Sequence, residues 1–362
     1  MPIIRGNTVL ADEPLLPEQP LFQAEQRYTV KFTAKAEEYF RIWIVNLALT
    51  IVTLGIYSAW AKVRKKRYFY GHTLIDGEGF EYRGRPLAIL KGRVIAFLLL
   101  ALYSVGNQFV PMLTPLFMLA VAVAIPWLVV RSLAFNAENS AYRNVQFHFR
   151  GTYGEALGVV VGIGLLVLGT FGLAFPWWKA RLARFVANHS WYGATRFHLP
   201  GLTREFYRYY IKAGALLFGL FALGILAFVL GASSAGRSMT GVTLGAAIFI
   251  GALCLSSVLA LASIRARITS LIWNHATLGT VRFECTLRTG RLARIYLVNI
   301  LAIVATAGLA FPWAVVRTMR YRAENMTIIA EEGLDRFTAA ESAQVSATGE
   351  QVGELFSIDI GL

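Results

Sequence analysis

Five histidines, two cysteines and scattered carboxylates are the residues with which this chain could do chemistry. A metal site or an acid–base pair needs such side chains grouped at ligand or hydrogen-bonding spacing. His72, His148, His189, His198 and His275 stand apart from any such group. Cys254 lies inside an apolar run and Cys285 beyond it, so they make no disulfide framework and suit a reducing or lipid environment. Asp76-Gly77 reads as a turn, flanked by solvated Glu78 and Glu81. No phosphate or dinucleotide fingerprint stands where a strand would lead into a helix. The expectation is no catalytic centre, no cofactor and no metal.

Three of the histidines instead occupy a position that recurs along the chain. A Trp is followed four residues later by an Arg in Trp60/Arg64, Trp127/Arg131, Trp177/Arg181 and Trp313/Arg317, and three copies add Arg67, Arg184 or Arg320 three residues on. Eight residues past the first Arg stands His72, Asn139, His189 or Asn325; a copy without the Trp runs from Arg267 to His275. Sixteen past it stands Phe80, Phe147, Phe197 or Phe283. The Trp suits a headgroup level and the Arg one turn later suits phosphate. The His or Asn reads as a helix-ending residue that satisfies terminal carbonyls.

The elements that carry these positions are apolar helices. Hydrophobic residues make up 56% of the chain and mean hydropathy is +0.54, which takes it out of the range of an ordinary soluble domain. Runs 94–130 (turning near Asn107, Gln108, Pro111 and Pro115) and 213–236 with 238–264 (separated by Arg237) read as two spanning hairpins. Runs 42–61, 156–178 and 295–316 are just long enough to cross once. They share Thr53-Leu-Gly55, Thr170-Phe-Gly172 and Thr306-Ala-Gly308, and Asn46 and Asn299 lie inside two of them. An Asn in an apolar helix reads first as a helix-to-helix hydrogen-bonding residue. Basic residues occupy the exit of each run, and the entries of the later two are basic as well, with Arg143 and Arg150 before one and Arg288, Arg291 and Arg294 before the other. Either one basic loop is misplaced in a seven-span protein, or the three runs bend at glycine and re-emerge where they entered, with the broken backbone buried against other helices.

Short alternating segments at Tyr28–Phe32, Phe80–Tyr82, Val145–Phe149, Thr195–Leu199 and Val281–Cys285 have strand character. The fold class expected is therefore a mainly α, polytopic helical membrane protein with internal repeats and a small cytoplasmic β element. Its divisions are a disordered tail over 1–27, a repeat-built membrane domain over 28–325 and an acidic tail over 326–362.

The strings Glu38-Tyr-Phe40, Trp43-Ile-Val-Asn46, Thr53-Leu-Gly55-Ile-Tyr57-Ser-Ala-Trp60, Arg64-Lys-Lys-Arg67-Tyr68, Pro176-Trp177 and Trp273-Asn-His275 resemble the YjgN-like bacterial inner-membrane proteins, a domain family of unknown function. The resemblance covers about Tyr28 to Asn325. It implies an inner-membrane location and supplies no activity, substrate or catalytic residue.

Net charge is +14 and is concentrated between two acidic tails, in the connections between apolar runs. Such charge attracts anionic lipid headgroups, and positive-inside bias explains it without nucleic acid. The functional expectation is envelope-associated transport or membrane organisation, with a basic cytoplasmic face engaging anionic lipid. The interface residues are Trp60, Trp127, Trp177 and Trp313 with their arginines, and no protein partner is indicated. The alternative is a lipid-processing membrane enzyme, which a polar cavity lined by His189 and His275 would favour.

Overall fold

The computed structural model describes residues 25–109, 112, 114–234, 239–331 and 333–344. The expected disordered tail, up to residue 24, and Pro111 and Arg237 of the two expected turns lie outside them.

Four two-residue hairpins punctuate the chain. Strands β2 (Thr73–Ile75) and β3 (Glu78–Tyr82) turn at Asp76-Gly77; β4 (Ser140–Tyr142) and β5 (Val145–Phe149) turn at Arg143-Asn144. Both residues of each of these turns have positive φ, the combination that matches strand twist. Strands β6 (Ser190–Tyr192) and β7 (Thr195–His198), and β8 (Thr277–Leu278) and β9 (Val281–Cys285), turn with a positive-φ glycine first, Gly193 or Gly279. Strand β1 (Gln26–Phe32) pairs with β2 on one side and with β10 (Met326–Ala330) on the other. All ten strands are antiparallel neighbours in chain order, and they close into a barrel.

Between hairpins the chain leaves one rim of the barrel as a helix and comes back as another. The pairs are α1 (Ala36–Val52) with α2 (Ser58–Gly71), α3 (Pro86–Phe109) with α4 (Thr114–Glu138), and α8 (Thr203–Ser234) with α9 (Met239–His275). The others are α5 (Tyr153–Leu157), which continues through a π turn at Gly158–Gly162 into α6 (Ile163–Gly169), with α7 (Phe175–Asn188), and α10 (Thr289–Ala305) with α11 (Phe311–Glu324). The opposite rim carries the four tight turns, against which a last helix, α12 over residues 334–344, is packed.

This corrects the expected fold class. The β part is not a small appendage on a polytopic helical protein: it is a closed ten-stranded barrel from which every helical pair departs. Nor do the spans match the expected number, since among the described residues three helices, Thr114–Glu138, Thr203–Gly231 and Gly241–His275, are long and apolar enough to cross a membrane. The physical reason lies in the Thr-x-Gly segments. Leu54, Phe171 and Ala307 and the glycines after them take positive φ, so each run stops being one helix and becomes two short ones. The turn satisfies its own backbone. The Thr53, Thr170 and Thr306 hydroxyls donate to the carbonyl four residues back (2.7 Å each), and accept from the N–H four residues on at 2.9, 3.1 and 2.9 Å. The glycine N–H groups bond Thr50, Val167 and Ile303 carbonyls at 2.7–2.8 Å. These tips are therefore not buried against other helices: Leu54 is 94% and Phe171 98% exposed. Internal pairing removes the need, because what hydrocarbon penalises is an unpaired peptide group and not an exposed Leu.

Asn46 and Asn299 are both buried, and Asn299 Nδ2 donates across its helical pair to Ala314 O (3.2 Å) and Thr318 Oγ1 (3.0 Å). Close approach of α8 and α9 depends on glycine, since a Cβ at Gly245 would lie 3.1 Å from the Phe228 carbonyl oxygen. Gly158 and Gly162 face open space, with nothing nearer than 4.0 Å to an added Cβ.

Because Asn139, Ser190 and Asn325 all lie where helices meet the same barrel rim, single cysteines placed there will share one accessibility. In sealed inverted and right-side-out vesicles, an impermeant thiol reagent is expected to label all three or none; a split result contradicts the common rim.

Candidate functional site

Every returning helix ends in the same way. Imidazole Nδ1 of His72, His189 and His275 meets the carbonyl four residues back at 2.7, 2.8 and 2.9 Å, and the amides of Asn139 and Asn325 donate to theirs at 2.7 Å. At four of these ends the terminal carbonyl also accepts the N–H of the residue that follows an adjacent strand: Thr33, Arg83, Arg150 or Thr286, at 2.8–3.0 Å. The side chain closes the helix while its backbone ties the helix to the barrel. His189 Nε2 additionally faces Glu155 at 2.8 Å.

Counting back along these helices, Arg64, Arg131, Arg181, Arg267 and Arg317 each stand eight residues before the cap, about 12 Å along the axis. Trp60, Trp127, Trp177 and Trp313 stand twelve residues before it, one turn farther from the barrel. Arg181 and Arg317 lie over the rings of Trp177 and Trp313 at 6.0 and 5.0 Å, and Arg267 over Tyr209 at 5.6 Å. The later arginines of the motif differ in placement. Arg67 donates to the Tyr82 and Gly84 carbonyls (3.3 and 3.4 Å) and Arg320 to Ala34 O (2.9 Å), so each staples a helix to a strand exit. Arg184 comes near Gly201 in the corresponding connection after β7.

Inside the barrel the alternate strand residues make one core. Val30, Ile75, Tyr142, Val145, Tyr192, Leu278, Val281 and Ile328 are buried there, with Phe80, Phe147, Phe197 and Phe283 packed on them. Eight strands leave an interior that side chains just fill. Ten leave more, and a wholly apolar cavity of about 260 Å³ remains. Phe147, Phe197 and Trp273 form a wall shared with a second cavity, of about 550 Å³, between α7, α8 and α9. A third, of about 430 Å³, lies beside α4 and includes His148, whose imidazole is held below its ordinary pKa by burial and then by Arg150. None of the three is lined by His189 or His275, so the cavity expected of an enzyme is not formed by them. Among the described residues no group of three His, Cys, Asp or Glu could hold a metal.

The far end of the barrel is stoppered by α12. Leu334 is buried in the core, Phe337 stacks on Tyr192 at 6.0 Å, and the buried Glu341 carboxylate accepts from the N–H groups of Ala194 (2.7 Å) and Thr195 (3.2 Å) and from the Thr195 hydroxyl. Arg143 joins the turns to this helix through Asp76 (2.8 Å), Glu78 (3.4 Å) and Asp335. Sequence reasoning did not find Glu341, Arg143 or the cavity-lining Lys179. The alternating Phe positions were its one signal for the interior.

Two consequences can be measured. Asn performs the cap at two of five ends, so His275→Asn should leave the unfolding temperature nearly unchanged, whereas His275→Ala should cost about 1 kcal/mol of stability. Equal loss for both variants would remove the capping role. Burial pushes the Tyr142 phenol up to about 12 and raises Tyr192 further, while their hydroxyls donate to Ile75 O (2.9 Å) and Tyr142 O (3.1 Å). The fold thus favours the neutral phenols. Their contribution is complete below the ordinary value of 10.0 and is lost as pH rises from there through about 12. Thermal unfolding should fall steeply over that window, and less so in Tyr142→Phe.

Comparison with known proteins gives this architecture a family. The chain is 32% identical over 128 residues to "Inner membrane protein YjgN" of Salmonella typhimurium, covering 34% of this chain and 31% of that protein. It is 30% identical over 124 residues to the protein of the same name from Escherichia coli, covering 33% and 30%. The matched part is therefore about a third of each relative's length. No solved structure matches the chain. Residues 27–355, nearly the whole described barrel and all its helical pairs, match the family described as bacterial protein of unknown function (DUF898), and the chain belongs to that family.

Proposed function

We propose that this chain resides in the bacterial inner membrane, with its apolar helix tips in lipid and its barrel in the cytoplasm, and that it engages anionic headgroups through the collar between them. Its role in this reading is to organise or move envelope lipid, without catalysis. The relatives' printed names support the location. The observation that carries the reading is the common height of Arg64, Arg131, Arg181, Arg267 and Arg317, one turn short of the Trp level on four of the five helices. Beyond that level the helices are apolar and exposed, as at Ile51, Leu168 and Val304. Five fixed cations at the edge of an apolar surface present a ring to phosphate, and the basic side is the cytoplasmic one by the positive-inside rule. We further propose that the Trp-to-Phe unit is an internal repeat, one copy per helical pair.

Arg64, Lys65, Arg131 and Arg181 are exposed, whereas Lys66 is committed to Asn136 and Arg67 to strand carbonyls. Replacing the four exposed cations by Gln should strip anionic phospholipid from the purified protein, each site contributing on the order of 1 kcal/mol. Native mass spectrometry of wild type and variant reads this directly. Unchanged retention of acidic lipid removes the headgroup role.

A further inference from the structure

We propose that the chamber between α7, α8 and α9, together with the barrel interior behind it, is a binding site for a fatty acid, with the carboxylate at Lys179 and the acyl chain pointing away from the bilayer into the barrel. The proposal rests on the membrane placement given above and adds a ligand to it.

The first support is continuity. The chamber of about 550 Å³ and the barrel cavity of about 260 Å³ share Phe147, Phe197 and Trp273 as lining, so only these rings part them, and a chain that enters the barrel turns them aside. Together they fall in the range of about 300–1,000 Å³ that holds a small ligand. The second is lining. Leu182, Val186, Ile268 and Ile272 line the outer part, and Ile75, Val281 and Ile328 the inner part. A water there would find almost no hydrogen-bond partner, and a space of this kind takes an apolar molecule. The third is charge. Lys179 is the cation that lines the chamber, and it stands ten residues before the helix end at His189, between the Trp177 and Arg181 levels. Its Nζ lies over the rings of Phe175 (5.4 Å) and Trp178 (4.8 Å), which hold it at the headgroup level. One cation over an apolar chamber backed by three aromatic residues suits one carboxylate and one chain. A two-chain lipid would leave its second chain outside.

Direction separates this site from ordinary lipid contact. A fatty acid in the bilayer carries its tail end toward the apolar tips, near Leu54 and Phe171; one in the chamber carries it toward the strands. The experiment uses the full chain in nanodiscs of zwitterionic lipid, with palmitate bearing a diazirine at the tail end as probe. After photolysis, peptides holding Phe147, Phe197 or Phe283 should be labelled. Ala183→Trp and Ile272→Phe, which fill the chamber, should abolish that label while leaving the tip label, with a cooperative thermal unfolding transition like that of wild type as the check that each variant is folded. Lys179→Gln should lower the strand label about tenfold, the loss of one charge-assisted pairing. Label confined to the tips, or strand label unchanged in both filling variants, overturns the site. Strand label unaffected by Lys179→Gln overturns the carboxylate assignment. Acidic phospholipid seen by native mass spectrometry on the purified filling variants reports the collar, so its loss there counts against the headgroup reading, and the chamber is judged by the strand label alone.

Discussion

Backbone hydrogen bonding around a closed ring of strands is the constraint on which the remaining structure depends. The strands are two to seven residues long, too short to persist as isolated hairpins in water. Closure through β1 and β10 gives every strand two neighbours and leaves no open edge. The cost is topological. Since consecutive strands are antiparallel neighbours, each helical excursion must return to the rim it left, and a run that crossed a membrane once would prevent closure. The breaks at Thr53, Thr170 and Thr306 and the long pairs α3–α4 and α8–α9 are two solutions to the same requirement.

The helices then have to be held at a defined height, and the chain uses its polar residues for this. His72, Asn139, His189, His275 and Asn325 end the returning helices, and Arg67 and Arg320 tie two of them to the next strand exit. Staples and collar arginines come from one sequence motif and differ by three residues of helix, about 4.5 Å of rise on nearly the same face, which brings one within reach of the barrel connections and leaves the other nearer the helix tip. Bonds to backbone carbonyls also spare the staples the poor return of exposed ion pairs such as Arg41–Glu37.

Ten strands make an interior too wide for aliphatic side chains alone, and aromatic residues take up most of it. Phe80 and Phe147, and Phe197 and Phe283, stack at 6.4 and 6.1 Å, and Tyr142 and Tyr192 pair their hydroxyls with main-chain carbonyls, so these two polar groups are not left unbonded in the core. The stopper α12 closes one end, with Glu341 buried because three donors meet it. Toward the helix bases Phe147, Phe197 and Trp273 part the barrel cavity from the chamber beside it.

What the sequence determined by itself is local. The length of the uncharged runs marked the apolar helices, the Trp–Arg–His/Asn spacing marked where the returning ones end, alternation marked strands, and the resemblance placed the chain in its family. All but the resemblance are written within a few tens of consecutive residues. Closure is not. Thr29 pairs with Thr327 and Arg143 with Asp335, partners separated by most of the chain, and no local pattern states which hairpins will adjoin. The barrel, the division of arginines into staples and collar, the fate of the Thr-x-Gly runs and the apolar chamber all follow from those long-range pairings, so tertiary structure alone decided them. A two-residue strand such as Thr277–Leu278 has no periodicity to read, and becomes a strand only because neighbours on both sides supply its hydrogen bonds.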